Sequence, residues 1–448
     1  MRGRHLSLRE QKALRKADTQ PAPQPPAAAT ADPRRRPRPP GKPALRDDRH
    51  VAAAQQRGSK PPRPTRKAAR APQRFFAPCP RGLEAELAKE LTELGAEDAL
   101  ASSGGVAFGG DLELAWRVNL WSRLAVRVLQ QVGHGRYRAE DDLYDAALRL
   151  PWPQWFGPER TLAVHTVARQ SPLKSLNFAS LRIKDAVCDR FRANCGVRPS
   201  VDTHAPDVPL LLYLDRDAYT LYLDLTGAPL NRRGFRREAA AAPLNENLAA
   251  GILRLAGWQP DIPLLDPMMG GGTLLIEAAM LALNIAPGLK RRFAFENLAS
   301  FDRVAWARLR KDAQAAALPP KALPIYGCDL DPAMLRTTEV NLRAAGLLDC
   351  VQLKQADALT IAAPAPAGIL VSNPPYGVRL PQADPAAFYR ALGDALKQRF
   401  IGWHAWLLSA DPELPRRIGL KATRRIPLYN GPLECRLYEY RMVSGRPG

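Results

Sequence analysis

Hydrophobic and polar positions change period along the chain, and the changes predict where order begins and of what kind it is. Up to about residue 73 there is almost no apolar periodicity. Then Phe75 and Phe76 suit a short strand that Pro78 and Pro80 end, and Leu83, Leu87, Leu91 and Leu94 fall on one helical face. "GGVAFGG" reads as a strand between glycine turns, and "DLELAWRVNLWSRLAVRVLQQV" as a helix running into a strand. From about Tyr144 a second α+β module follows. "TLAVHTVAR" predicts a strand, "ASLRIKDAVCDRFRANCG" a helix ending at Gly196, and "PLLLYLDRDAYTLYLDLTG" a hairpin turning at Asp215, Arg216 and Asp217.

The last 215 or so residues alternate differently. "IPLLD", "PIYGCD", "VQLKQAD", "GILVSN" and "WHAWLLSAD" predict strands, with "TLLIEAAMLALN", "PAMLRTTEVNLRAAG" and "AAFYRALGDALKQRF" as helices between them. The second helix has Pro at its first turn and Gly at its end, both ordinary boundary signals. Strands alternating with helices imply a parallel, doubly wound sheet, whose ligands bind beyond the carboxyl ends of the strands.

The predicted strand ends carry the chemistry. The first runs into "DPMMGGGT": Asp266, Pro267, the glycines 270 to 272, and Thr273 as the expected helix N-cap. Glycines there let a ligand approach the backbone, and a helix N-terminus offers free N–H groups to an anionic tail. The second strand ends at Asp329, placed for a ribose diol, and the third at Asp357, placed for adenine. The fourth ends in "SNPPYG", where Pro374 and Pro375 cannot continue a ladder and so form a rigid loop. That loop is either ordinary turn punctuation or a site for a planar, amine-bearing ligand, with the Asn373 amide, the Pro374 carbonyl and the Tyr376 ring as its contacts.

A dinucleotide fingerprint fails here, because Leu275 stands where the third glycine belongs and Asp329 comes 57 positions after Gly272 rather than about 20. A phosphate-binding GK[ST] is also missing. S-adenosylmethionine is the cofactor these strand ends predict. Methyl transfer to an exocyclic base amine needs a held nucleophile more than an ionised one, so two acceptors on the amine hydrogens and a ring stacked on a flipped base suffice.

Charge alters the picture only at the N-terminus. Residues 1–74 hold 20 Lys and Arg against 5 Asp and Glu, a net of +15 out of +21 for the chain, together with 13 of its 43 prolines. Such a segment, taken as 1–73, is expected to be disordered, serving either as an arm for RNA phosphates or as a solubilising extension. The six cysteines and six histidines are scattered without metal spacing, so no metal is expected. No apolar run reaches 18 residues, and the first residues lack a secretory h-region. A cytoplasmic protein is the expectation, with a monomer assumed.

The stretches "FFAPCPRGLEAEL", "LNRRGFRREAAAAPLNENLAAGIL", "LLDPMMGGGTLLIEAAM", "RRFAFENLASFD", "SNPPYGVRL" and "NGPLECRLYEYRM" together resemble the bacterial RlmL-type ribosomal RNA guanine-N2 methyltransferases, over roughly residues 74 to 445. The resemblance implies a ferredoxin-like lead-in at 74–140, a THUMP RNA-binding domain at 141–228 and a Rossmann-like class I methyltransferase domain at 229–448. It implies that Asp266 and Gly270 hold the cofactor's methionine end, Asp329 its ribose and Asp357 its adenine, while Asn373 to Tyr376 hold a guanine of 23S rRNA, free or in a pre-50S particle. The glycine loop departs from the family's usual Cys and Ser at Met269 and Gly271, and only one modification is expected, since the second methyltransferase domain of some relatives is not found. Adenine N6 methylation, or a catalytically idle RNA-binding assembly factor, would fit the same motifs. Arg232, Arg233, Arg236 and Arg237 in "NRRGFRRE" are either contacts to phosphate or cofactor, or a solvated linker. Tyr137 and Arg138 pose the same question, and "FAFENLASFD" reads as a structural insertion beside the site.

Overall fold

A computed structural model of the chain describes residues 73–236, 244–375 and 384–443. The basic tail before Gln73, Arg237 and Tyr376 lie outside the described residues.

The first half builds β1 (Gln73–Pro78), α1 (Glu84–Glu93), β2 (Glu97–Ser102), β3 (Gly105–Gly110), α2 (Leu112–Trp121), β4 (Leu129–Arg136), α3 (Glu140–Leu148), β5 (Leu162–Arg169), α4 (Leu176–Cys195), β6 (Val208–Asp215) and β7 (Ala218–Asp224). Its seven strands form one sheet in the order β2-β3-β1-β4-β7-β6-β5. The two α+β modules foreseen as separate units share this sheet, because β4 pairs antiparallel with β7. Period-2 alternation gives the sheet two faces. Along β6, Leu210, Leu212 and Leu214 are buried, while Leu211, Tyr213 and Asp215 on the other face are half-exposed. The long helix α4 ends at Gly196 as expected, in the left-handed conformation that glycine adopts without strain.

The second half builds α5 (Glu246–Leu255), β8 (Leu264–Asp266), α6 (Thr273–Ala282), α7 (Arg303–Ala316), β9 (Ile325–Asp329), α8 (Pro332–Ala345), β10 (Gln352–Gln355), β11 (Gly368–Ser372), α9 (Pro385–Arg399), β12 (Trp403–Ser409), β13 (Arg424–Asn430) and β14 (Leu433–Arg441). The sheet order is β10-β9-β8-β11-β12-β14-β13. The five predicted strands are parallel. The β13–β14 hairpin, which the sequence pattern did not reveal, adds two antiparallel strands at the edge. Strand order reverses between β8 and β11, the switch point where a doubly wound sheet opens a crevice.

The basic run at Arg232–Arg236 is largely structural. Arg233 is buried, and its guanidinium donates to Glu277 Oε1 (3.1 Å), the Leu230 carbonyl (2.7 Å) and the Arg123 carbonyl (2.6 Å). Arg123, also buried, donates to the carbonyls of Ile285 (2.8 Å) and Met280 (3.2 Å) and lies 3.9 Å from Glu277. Two arginines thus close around one carboxylate that has no exposure at all. Arg232 remains exposed. Tyr137 is likewise structural: it is buried, with its hydroxyl bonded to the Arg216 carbonyl (2.7 Å) and Ser171 (2.8 Å). "FAFENLASFD" packs as an aromatic cluster in which Phe295 stacks on Trp116 and meets Trp306 edge-on. Its backbone docks on the end of β7, with the Phe295 amide donating to the Leu225 carbonyl (3.0 Å).

Candidate active site

β8 and β11 place their last side chains side by side across the switch point. Ser372 Oγ donates to Asp266 Oδ1 at 2.7 Å, and the Met268 amide donates to the same oxygen at 3.2 Å. Asp266 is almost wholly buried, and loss of hydration pushes its carboxyl up to about 7, with the nearby Asp329 charge acting in the same direction and the two hydrogen bonds opposing it.

The glycine loop sits between β8 and α6. Gly270 and Gly272 have φ of +51° and +75°, which explains glycine at both positions. Gly272, rather than the predicted Thr273, is the N-cap of α6, and Thr273 is the first helical residue. A Cβ on Gly272 would lie 2.6 Å from Thr338 Cγ2, whereas one on Gly270 would meet nothing within 4 Å. The loop is therefore clamped on one side and open on the other.

α8 supplies the clamp. Thr338 Oγ1 donates to the Gly270 carbonyl (2.7 Å) and Asn341 Nδ2 to the Gly271 carbonyl (3.1 Å). They lie three residues apart on one helix face, so a single helix aligns both bonds. Asp329, at the end of β9, accepts the Gly270 amide at Oδ2 (2.9 Å) and the Asp331 amide at Oδ1 (3.1 Å), which leaves a lone pair free on each oxygen among the described residues. Asp357 lies two residues beyond β10, half-buried, and accepts the Leu359 amide (2.9 Å). The Ala356 amide donates to the Asp329 carbonyl, joining these two strand ends (3.1 Å).

Asn373 follows β11. Its Oδ1 is buried and has no hydrogen-bond partner among the described residues. Pro374 beside it is buried, and the Pro375 carbonyl accepts the hydroxyl of the buried Tyr389 on α9 (3.2 Å). Arg236 closes the far side of the loop, donating to the Leu244 carbonyl (2.9 Å), pairing with Glu246 (3.0 Å) and approaching Thr273 Oγ1 at 3.5 Å. Thus Asp266, Gly270, Gly272, Thr273, Asp329, Asp357, Asn373 and Pro374 all lie at the carboxyl edge of one sheet. Ser372, Thr338, Asn341 and Tyr389 join them without any motif having marked them. Among the described residues no three His, Cys, Asp or Glu side chains gather as a metal site requires, and no helix is long and apolar enough to cross a membrane.

Known proteins align with this arrangement along most of the chain. Residues 74–129 match the RlmL ferredoxin-like domain, 137–224 the THUMP domain, and 233–439 the RMKL-like methyltransferase domain. A Synechocystis sp. protein named "Putative RNA methyltransferase slr0064" is 39% identical over 370 residues, covering 82% of this chain and 96% of that protein. The ribosomal RNA large subunit methyltransferase K/L of Syntrophotalea carbinolica is 42% identical over 393 residues, covering 84% of this chain and 54% of that protein. The chain therefore spans about half the length of the K/L relatives it matches. Among solved structures, SMU.472 in complex with SAH superposes with a TM-score of 0.77 at 31% identity, over 84% of this chain and all of that one. A protein from Listeria monocytogenes described as a predicted N6-adenine-specific DNA methylase superposes at 0.75 with 31% identity, over 83% of this chain and 96% of that one. With all three domain models matched in order and one relative matched over nearly its whole length, the chain belongs to the RMKL-like family of THUMP-containing RNA methyltransferases.

Proposed function

We propose that the protein transfers a methyl group from S-adenosylmethionine to the exocyclic N2 amine of a guanine in 23S rRNA, with the base flipped against Asn373, Pro374, Pro375 and Tyr376. The observation that carries this proposal is Asn373 Oδ1, an acceptor buried beside a di-proline loop without a partner among the described residues. Leaving such a group unpaired costs about 1–3 kcal/mol, so it persists where a ligand supplies the donor. An amine bound there gives its hydrogens to Asn373 Oδ1 and the Pro374 carbonyl, which draws its lone pair out of conjugation. Tyr389 fixes the loop through the Pro375 carbonyl.

The cofactor fits the same edge. When bound, S-adenosylmethionine supplies an electrophilic methyl group on a sulfonium. The open side of Gly270 admits its methionine end beside Asp266, the free lone pairs of Asp329 suit a ribose diol, and Asp357 suits an adenine amine. SMU.472, whose structure holds SAH, gives independent support for this cofactor.

Asp329→Ala should weaken S-adenosylmethionine binding about 10- to 100-fold, through loss of the diol contact and of the brace on Gly270. Calorimetric titration measures it, and an unchanged dissociation constant would remove Asp329 from the ribose site. Asp266 predicts a pH dependence. Its carboxyl titrates near 7 in the folded chain and must ionise to hold an ammonium, so affinity should fall up to tenfold per pH unit below 7. Folding stability has the opposite slope: the folded state keeps a proton that the unfolded state releases near pH 4, so stability declines as pH rises from 4 to 7. Asp266→Asn should flatten both profiles, and a wild-type affinity independent of pH between 6 and 7.5 would place the ammonium elsewhere.

Nucleoside mass spectrometry of unmodified 23S rRNA after incubation with labelled S-adenosylmethionine tests the reaction: label in N2-methylguanosine is expected. Label in N6-methyladenosine would instead favour the second reading, which the naming of the Listeria relative motivates. An absence of label on both free rRNA and pre-50S particles would refute methylation of ribosomal RNA and favour a binding role.

A further inference from the structure

Alternation along β6 leaves one face of the first sheet half-exposed, and over that face runs a groove of about 1180 Å³. We propose that this groove is a track for unpaired RNA, leading a single strand to the catalytic strand ends; the proposal rests on the RNA methyltransferase function argued above.

Three features of the groove select this occupant. Its floor carries rings from three strands: Phe76 on β1, Tyr213 on β6 and Tyr222 on β7, with the Phe76 and Tyr222 centroids 6.3 Å apart. Apolar surface remains bare beside them, Val167 on β5 being 43% exposed. Such rings stack on bases only when the bases are unpaired.

Arginines outnumber carboxylates around the rings. Arg81 and Arg169 line the groove with His165, and Arg127 beside them is paired with Asp224. Of its two carboxylates, Glu84 is already occupied by the amides of Gly82 (2.7 Å) and Gly104 (3.0 Å), and Asp215 stands level with Arg169 on the neighbouring strand. Cations above a ring-bearing floor match a phosphodiester backbone whose bases point inward.

The groove also has a direction. At Arg81 and Val126 it meets a second cleft of about 560 Å³ lined by Asn231, Asn245, Asn247 and Tyr429, where the Asn245 and Asn247 amide nitrogens already donate to Asn430 Oδ1 (3.1 Å) and the Leu124 carbonyl (3.4 Å). Arg81 lies 5.6 Å from the Tyr429 centroid, a cation–π contact at the junction. Asn245 precedes α5, whose Glu246 is held by Arg236 against the start of α6. The amide cleft therefore joins the sheet groove to the wall of the glycine loop. Side-chain amides offer both donors and acceptors to base edges, which suits a nucleotide next to the target.

Fluorescence anisotropy with the full chain tests the track, using a labelled 12-nucleotide oligouridylate and a fully paired RNA duplex of equal length. The single strand should bind more tightly. Tyr213→Ala should weaken it roughly 5- to 100-fold, while Tyr213→Phe, which keeps the ring, should stay within about twofold. Arg169→Gln, at an exposed position, should lower the salt slope of binding by about 0.7 and serves even if the alanine variant misfolds. An unchanged S-adenosylmethionine dissociation constant shows that each variant is folded. Equal affinity for duplex and single strand, or wild-type single-strand binding and salt slope in both Tyr213→Ala and Arg169→Gln, would overturn the track. These are binding measurements, so they stand apart from the methylation assay: label without track dependence refutes the track alone, and strand binding without label refutes the reaction alone.

Discussion

Asn373→Ala is expected to reduce methyl transfer by about 10²-fold or more, leave the S-adenosylmethionine dissociation constant within about twofold, and leave the fold as stable as before or slightly more so. The three outcomes have one cause. Asn373 Oδ1 is a buried acceptor with no partner among the described residues, so the resting protein carries its desolvation cost without return. The return comes when an amine becomes tetrahedral on its way to the new N–C bond and its hydrogens point at the oxygen. An interaction made mainly at that stage lowers the barrier without tightening the ground state, and losing one fixed hydrogen bond of this kind typically costs 10²–10³-fold, or roughly 3–4 kcal/mol. Truncation also removes a few packing contacts, which offsets part of the relieved desolvation. Cofactor affinity should hold because Asp266, Asp329 and Asp357 stand on other strands. Single-turnover assays with saturating cofactor, calorimetry and a thermal melt together check all three. An alanine variant of full activity would end the role given to the amide. One that lost activity together with several degrees of stability would mark Asn373 as a loop brace instead.

The parts of this site that were legible in the sequence share a local property. Asp266, Asp329 and Asn373 each stand at or just past the end of a short apolar strand, and the glycines and prolines beside them announce a chain forced into a turn. The parts that were not legible depend on contacts between distant segments. Thr338 and Asn341 bond glycines 68 and 70 residues away, and inside an amphipathic helix nothing separates them from ordinary polar positions. The same holds for Arg233. A run such as "NRRGFRRE" resembles a solvated or phosphate-binding stretch because charge runs usually are, yet one of its guanidiniums lies in the core. The fused first sheet was hidden for a related reason: β4 and β7 pair across some ninety residues, and strand pattern predicts faces but not partners. The β13–β14 hairpin was masked by Pro427 and Gly431, which punctuate it as if it were loop.

Glu277→Gln is expected to destabilise the protein by about 3–5 kcal/mol, the second large effect, because it leaves two arginines buried around a neutral side chain. Arg233 donates to Glu277 at 3.1 Å, and Arg123 lies 3.9 Å away on the other carboxylate oxygen, with Arg123 Nη1 and Glu277 Oε2 having no hydrogen bond among the described residues. Ionic attraction therefore holds this half of the cluster, and an amide of the same shape does not replace it. The remaining guanidinium bonds go to carbonyls of Leu230, Arg123, Met280 and Ile285, so neither arginine can leave without orphaning backbone acceptors as well. Position makes the cost functional. Arg123 precedes the first sheet's β4, Arg233 belongs to the segment between the two sheets, and Glu277 lies one turn into α6, directly behind the glycine loop. The cluster thus ties the sheet bearing the proposed RNA track to the helix that positions the cofactor loop. A fall in Tm of roughly 5–10 °C should accompany Glu277→Gln. Methylation of RNA should drop more than cofactor affinity does, because relaxation between the sheets misplaces the strand before it disturbs Asp329 or Gly270. A melt unchanged within 1–2 °C would mean that the buried charges are compensated elsewhere, and equal losses in cofactor binding and methylation would mean that the cluster supports the glycine loop alone.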